Sequence, residues 1–134
     1  MKLGFHKVLL GALLLTFSSF LPANGAGLLT HVDITLRALN HFSPMLDSAL
    51  GYPFSQVLKN NKAYLLGGAV FPDWGYFCYQ AGGPVAHQEP FLIALQQYIV
   101  QTYQPSTPQY DQLMAFMFGV ASHIYSDFLW YYGN

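Results

Sequence analysis

Charge is scarce in this 134-residue sequence: Asp, Glu, Lys and Arg make up only 8% of it, about a third of the share usual in soluble domains. Five basic residues face six acidic ones, a net charge of −1, which excludes a basic nucleic-acid arm and any long-range field that would steer polyanions or acidic lipids. Cysteine is nearly absent as well. Cys78 stands alone, so no internal disulfide forms, and stability must come from an apolar core or a bound metal. The lone thiol is expected to be buried as a small hydrophobe, the alternative being a bond to another chain. No segment alternates apolar and polar residues long enough to make a strand, so the fold class is all-α. What is abundant is apolar surface, 53% hydrophobic and 17% aromatic residues. That excess rules out a disordered tail, and the length allows one domain.

The first 25 residues are expected to be a signal peptide. Lys2 and Lys7 precede an apolar run from Val8 to Leu21, about 14 residues where a bilayer span needs roughly 20. Pro22 breaks the run, which weighs against the alternative of an uncleaved anchor. Small residues follow in PANGAG, and cleavage after Gly25 makes Ala26 the first residue of a secreted, or periplasmic, mature chain of residues 26–134. That mature chain keeps three basic residues, Arg37, Lys59 and Lys62, against six acidic ones.

In the mature chain, Val32, Leu36 and Leu39 recur at helical spacing up to Pro44, with Thr30 placed as the N-cap. A second, weaker helix is predicted over Ser55–Leu66, ended by Gly67 and Gly68, and residues 71–86 are predicted to be loop. A third helix opens at Pro90 and runs to about Tyr103, with Phe91, Leu95, Tyr98 and Ile99 on one face. Pro105 and Pro108 mark a turn. The last helix, about Tyr110 to Trp130, is apolar on nearly every side, as a central buried helix would be.

His123 and Asp127 break that apolar pattern. They are four residues apart and share a face, with Gly119 one turn earlier leaving space above them. A carboxylate on a buried face costs several kcal/mol unless it is paired. A simple His–Asp hydrogen bond, a cationic partner or a metal would each satisfy it, and the scarcity of cations favours metal. Three more candidates strengthen that reading: His31 near the new N-terminus, His87 in the loop GGPVAHQEP, and Asp73 in a loop after Phe71-Pro72. Neutral imidazole and carboxylate are zinc ligands at about 2.0–2.2 Å. His41, near a helix end, is expected to be exposed and without a role.

These residues stand in four blocks: AGLLTHVDITLRAL from Ala26, AYLLGGAVFPDWGYF from Ala63, AHQEPFLIALQQYI from Ala86 and QLMAFMFGVASHIYSDFLW from Gln112. In that order they resemble the zinc-dependent phospholipase C family, most closely its glycosylphosphatidylinositol-specific members, of whose catalytic domain they match about the first half. The single-strand-specific zinc nucleases are similar in fold and metal cluster. The resemblance implies an all-helical domain, here incomplete, in which up to three zinc ions activate water against a phosphodiester. It implies that Asp73, His87, His123 and Asp127 hold one zinc. A second would be held by His31, by the other oxygen of Asp127, and by the amine and carbonyl of Ala26 once cleavage makes it N-terminal. Asp73 would also serve as the catalytic proton acceptor. Relatives carry a further histidine where this chain has Tyr131, and later ligands beyond Asn134, so one or two zinc ions are supportable here.

The remaining polar and aromatic residues have plainer roles. Trp74, Tyr76, Phe77 and Tyr79 form an aromatic loop expected to cap the core, the alternative being a lipid or base pocket or a membrane contact. Glu89 would either orient His87 or sit as a helix N-terminal charge. Tyr131 and Tyr132 are expected to be ordinary helix ends, and Met114 and Met117 core filler. The expected function is that of a secreted zinc-dependent phosphodiesterase acting on phospholipid or glycosylphosphatidylinositol head groups, with a membrane surface as a candidate partner and nucleic acid disfavoured. The alternatives are a catalytically incomplete zinc- or lipid-binding homologue and a single-strand-specific nuclease.

Overall fold

The computed structural model describes residues 27–42, 47–49, 51–78 and 81–132, with the Cys78 side chain excepted. The expected signal peptide, Ala26, Pro44, Tyr79 and the burial of Cys78 lie outside what is described. Among the described residues there is no strand, and the elements are α1 (Leu28–His41), α2 (Phe54–Asn60), α3 (Lys62–Cys78), α4 (Gly82–Ala86), α5 (Glu89–Thr102) and α6 (Pro108–Tyr132). None of these helices is long and apolar enough to cross a membrane. The class is all-α.

The most extensive contact joins α3 to α6, and α6 also touches α1, α2 and α5. Two glycines permit that central crossing. A Cβ at Gly68 would lie 2.0 Å from the Phe116 carbonyl oxygen, and one at Gly119 would lie 2.0 Å from that of Leu65. Both obstacles are backbone, so neither gives way, and the helices meet at this distance only with glycine at both positions. This corrects the sequence expectation that Gly67 and Gly68 end a helix. Asn61 instead separates α2 from α3, and α3 runs through both glycines and through Pro72. Pro72 has no N–H to offer the preceding turn, yet its ring is fully buried. Asp73 and the aromatics after it therefore stand on a helix, not in a loop, and Gly82–Ala86 is a short helix too.

The helix α1 starts earlier than expected, with Gly27 rather than Thr30 in the N-cap position. Its buried stripe is His31, Thr35 and Leu39, at i, i+4 and i+8, so two of the three residues facing inward are polar. Thr35 Oγ1 donates to Ser122 Oγ at 2.8 Å, a side-chain bond that ties α1 to α6. Pro90 lies in the first turn of α5, where a missing N–H costs nothing. On that helix Ile99 is fully buried, while Tyr98 faces out, its hydroxyl 3.4 Å from that of Tyr103.

Two apolar clusters surround the crossing. One joins Leu39, Leu58, Leu65 and Ala115, and the other joins Ile99 to Tyr110, Met114 and Met117 on the first half of α6. Both methionines are core residues, as expected. In the aromatic stretch of α3, Trp74, Tyr76 and Phe77 are each about half exposed, as rings with one end buried and the other wet are. Phe128, Leu129, Trp130 and Tyr132 are exposed on the last turns of α6, so that helix is buried as far as Ser126 and leaves the core beyond it.

Candidate metal centre

Beyond the glycine crossing, α1, α3, the turn after α4 and the second half of α6 bring five titratable side chains to one place. His31 comes from α1, Asp73 from α3, His87 from the residue that ends α4, and His123 and Asp127 from adjacent turns of α6. His31 and His123 have fully buried side chains, and their rings stack at 3.6 Å between centroids. The turn that carries His87 is drawn close by another glycine. A Cβ on Gly75 would lie 2.3 Å from Gly83 N, so α3 and α4 touch backbone to backbone.

Each imidazole has its Nδ1 engaged away from the cluster. His123 Nδ1 donates to the Ala69 carbonyl at 2.7 Å, and His87 Nδ1 donates to the Gly83 carbonyl at 2.7 Å. His31 Nδ1 lies 2.9 Å from Ser126 Oγ, whose own proton goes to the His123 carbonyl at 2.9 Å. Ser126 therefore accepts, and His31 Nδ1 donates. In all three neutral rings the lone pair is left on Nε2. The Ala69 and Gly83 carbonyls and Ser126 thus orient the rings as outer partners orient metal-ligating histidines.

The Nε2 atoms and carboxylates converge. His123 Nε2 lies 3.0 Å from His87 Nε2. Asp73 Oδ1 is 3.4 Å from His87 Nε2 and 3.8 Å from His123 Nε2. Asp127 Oδ2 is 3.7 Å and 3.5 Å from the same two nitrogens. Donors around a tetrahedral zinc stand about 3.3 Å apart, given bonds of about 2.0–2.1 Å, and these five distances bracket that spacing. The other carboxylate oxygen, Asp127 Oδ1, faces His31 Nε2 at 3.3 Å and is buried without a hydrogen bond. Two groupings satisfy the geometry for holding a metal ion, His31 with Asp73 and His123, and His87 with His123 and Asp127. Two acceptor nitrogens at 3.0 Å require a proton or a metal cation between them, so the donor set fits a metal.

The electrostatics follow from the same packing. Burial pushes the Asp73 carboxyl up, but the His87 hydrogen bond and the nearby His123 and His31 outweigh it and hold the group below the usual carboxylate range. Burial pushes His87 down, yet its bonds to Asp73 and the Gly83 carbonyl raise it above the ordinary imidazole value. His123 goes the other way, lowered chiefly by burial. The two shifts are opposed, so burial and the local bonds favour the charged imidazole at His87 over that at His123.

Of the sequence candidates, His31, Asp73, His87, His123 and Asp127 come together, and Ala26 lies outside the described residues. His41 is exposed. Glu89 stands in the first turn of α5, and the His87 Nδ1 proton goes to Gly83 rather than to it. The sequence reading missed Ser126, Thr35 and Ser122. Their signal was present, since Ser122 and Ser126 repeat at i, i+4 beside His123 and Asp127 in an otherwise apolar helix. Tyr131, one turn after Asp127, is partly exposed, and desolvation with the charge of Asp127 pushes its hydroxyl up.

A family model described as zinc dependent phospholipase C matches residues 30–130. Among curated proteins, the phosphatidylinositol-glycan-specific phospholipase D of Dictyostelium discoideum is 35% identical over 130 residues, covering 92% of this chain and 13% of the relative. The rat protein of the same name is 36% identical over 128 residues, covering 90% of this chain and 15% of the relative. The human protein is 36% identical over 112 residues, covering 78% and 13%. The chain thus spans about one seventh of the length of these relatives. No solved structure gives a significant match.

Proposed function

This chain belongs to the zinc dependent phospholipase C family, and from that premise we propose that it carries the zinc-binding part of a secreted phosphodiesterase acting on phospholipid or glycosylphosphatidylinositol head groups. Asp73, His87, His123 and Asp127 would hold one zinc ion. His31, the second oxygen of Asp127 and the terminal amine and carbonyl of Ala26 would hold another. The observation that carries the reading is the inward turn of the Nε2 lone pairs of His87 and His123 onto two carboxylates at 3.4–3.8 Å. The names of the relatives supply the lipid class.

Zinc at such a site lowers the pKa of water towards 7 and offsets charge developing on the phosphate. The protein's own part is division of labour by exposure. The two imidazoles of α1 and α6 are fully buried and exclude water from one side, while Asp73 is the most accessible of the five groups, 23% exposed. Asp73 would be the group to take a proton, at a carboxylate oxygen, from a water on the open side. Asp127 turns one oxygen toward His31 and the other toward His87 and His123, and would so serve both ion sites.

The test is metal analysis of the purified full chain, followed by assay for release of phosphorylated head group from lipid vesicles and for cleavage of a single-stranded oligonucleotide. Bound zinc with head-group release is expected, and the product identifies which side of the phosphate departs. Absence of zinc overturns the reading. Zinc with neither activity assigns the chain as a metal-binding module, and oligonucleotide cleavage alone assigns it as a nuclease.

A further inference from the structure

Ser126 belongs to no ligand set, yet every atom of its hydroxyl is engaged at the cluster. It donates to the His123 carbonyl at 2.9 Å and accepts the Nδ1 proton of His31 at 2.9 Å. A hydroxyl has one proton, and because the His123 carbonyl takes it, the bond to His31 can form in one sense only. That sense makes His31 the Nδ1–H tautomer, with its Nε2 lone pair toward Asp127 Oδ1 at 3.3 Å. The same hydroxyl ties the backbone of His123 to the ring stacked 3.6 Å from its own. The neighbouring Thr35–Ser122 bond holds α1 on α6 but touches neither ring's nitrogen.

We propose that Ser126 is a positioning residue that holds His31 in the Nδ1–H tautomer and so builds the His31–Asp127 half of the metal centre separately from the half around His87 and His123. The inference rests on the metal reading above, and the experiment keeps the two apart. Outer partners of ligating histidines typically change metal affinity 10- to 100-fold. Ser126→Ala leaves His31 Nδ1 without its acceptor, while the Ala69 and Gly83 carbonyls still orient His123 and His87.

The experiment is cobalt(II) titration of the full chain, metal-free at the outset, followed by d–d absorption and chelator competition in the native protein, Ser126→Ala and Ser126→Thr. In parallel, long-range ¹H–¹⁵N spectra of the zinc-loaded native chain report the tautomer of each histidine. The expected result is an Nδ1–H His31 in the native chain, a 10- to 100-fold loss in Ser126→Ala confined to one class of bound cobalt, and recovery in Ser126→Thr, which restores the hydroxyl. An Nε2–H His31 in the native chain overturns the proposal whether or not either variant folds. So does a Ser126→Ala protein with native cobalt affinity and spectrum. Failure of the native chain to bind cobalt or zinc overturns the metal reading, whereas metal uptake with an Nε2–H His31 overturns the role of Ser126 alone.

Discussion

The two halves of α6 bury different kinds of atom. From Tyr110 to Met117 the helix turns apolar side chains onto Ile99 of α5, and its carboxylate Asp111 is satisfied within the protein, accepting from the Tyr52 hydroxyl. From His123 to Asp127 it turns an imidazole, a hydroxyl and a carboxylate onto His31, Asp73 and His87. Burial stabilises the first half outright at roughly 25 cal/mol per Å². The second half places acceptors against acceptors, which costs free energy unless a proton or a cation stands between them. One helix therefore holds a region that is stable by itself and a region whose stability depends on what is bound.

The substitution that breaks both halves together is Gly119→Ala, since the new Cβ would sit 2.0 Å from the Leu65 carbonyl at the crossing that anchors them. A loss of at least about 3 kcal/mol is expected, read by denaturant unfolding, and it should be larger with zinc present, because the variant also loses the increment that binding adds to the native chain. Ile99→Ala isolates the apolar half. It removes a fully buried side chain, which costs about 2–5 kcal/mol, and zinc affinity measured by chelator competition should stay within about threefold of native.

His123→Ala isolates the polar half. In the native chain, zinc at a hundredfold excess over its dissociation constant should add about 2.7 kcal/mol of stability; in the variant that increment should vanish. Acidity distinguishes the halves more gently. His87, held above its ordinary value by Asp73, must lose its proton to accept zinc, so affinity should rise with pH through and beyond about 6.5, by about tenfold per unit while one proton is displaced. The sign differs in the metal-free chain. There the contribution of His87, whose folded value is raised, is fully present below about 6.5 and lost as pH rises through its folded value. That of Asp73, whose folded value is depressed, is present above about 3.9 and lost as pH falls through its folded value. Zinc titrations from about pH 5 to 8, and unfolding curves of the metal-free chain from about pH 2 to 8, check both signs. The smallest effect should come from Arg37→Ala, which removes an exposed i,i+4 pair with Asp33; less than about 0.5 kcal/mol is expected, and no change in zinc binding.

The difference between the halves also explains how much was legible in the sequence. Helix existence followed from apolar periodicity, and the scarcity of charge made His123 and Asp127 conspicuous within α6. The misread segment was residues 67–86, where Gly67, Gly68 and Pro72 have the signature of a terminator. A single sequence does not reveal that a glycine is needed for the close approach of another helix, because the obstacle, the Phe116 carbonyl, lies 48 positions away in the chain. The inward direction of the Nε2 atoms was likewise invisible, since it depends on the Ala69 and Gly83 carbonyls, groups that every residue possesses. Ser126 was overlooked because a serine in a helix usually points to solvent or to its own backbone. Here its hydroxyl does bond the backbone three residues back and still has a lone pair for His31.

The central claim is that the polar half of α6 is a zinc centre, and calorimetric titration of the metal-free full chain with zinc tests it most directly. The account predicts at least one tightly bound ion in the native chain and loss of that ion in His123→Ala. A native chain that takes up no zinc, or a variant that binds it as well as the native chain does, would contradict it.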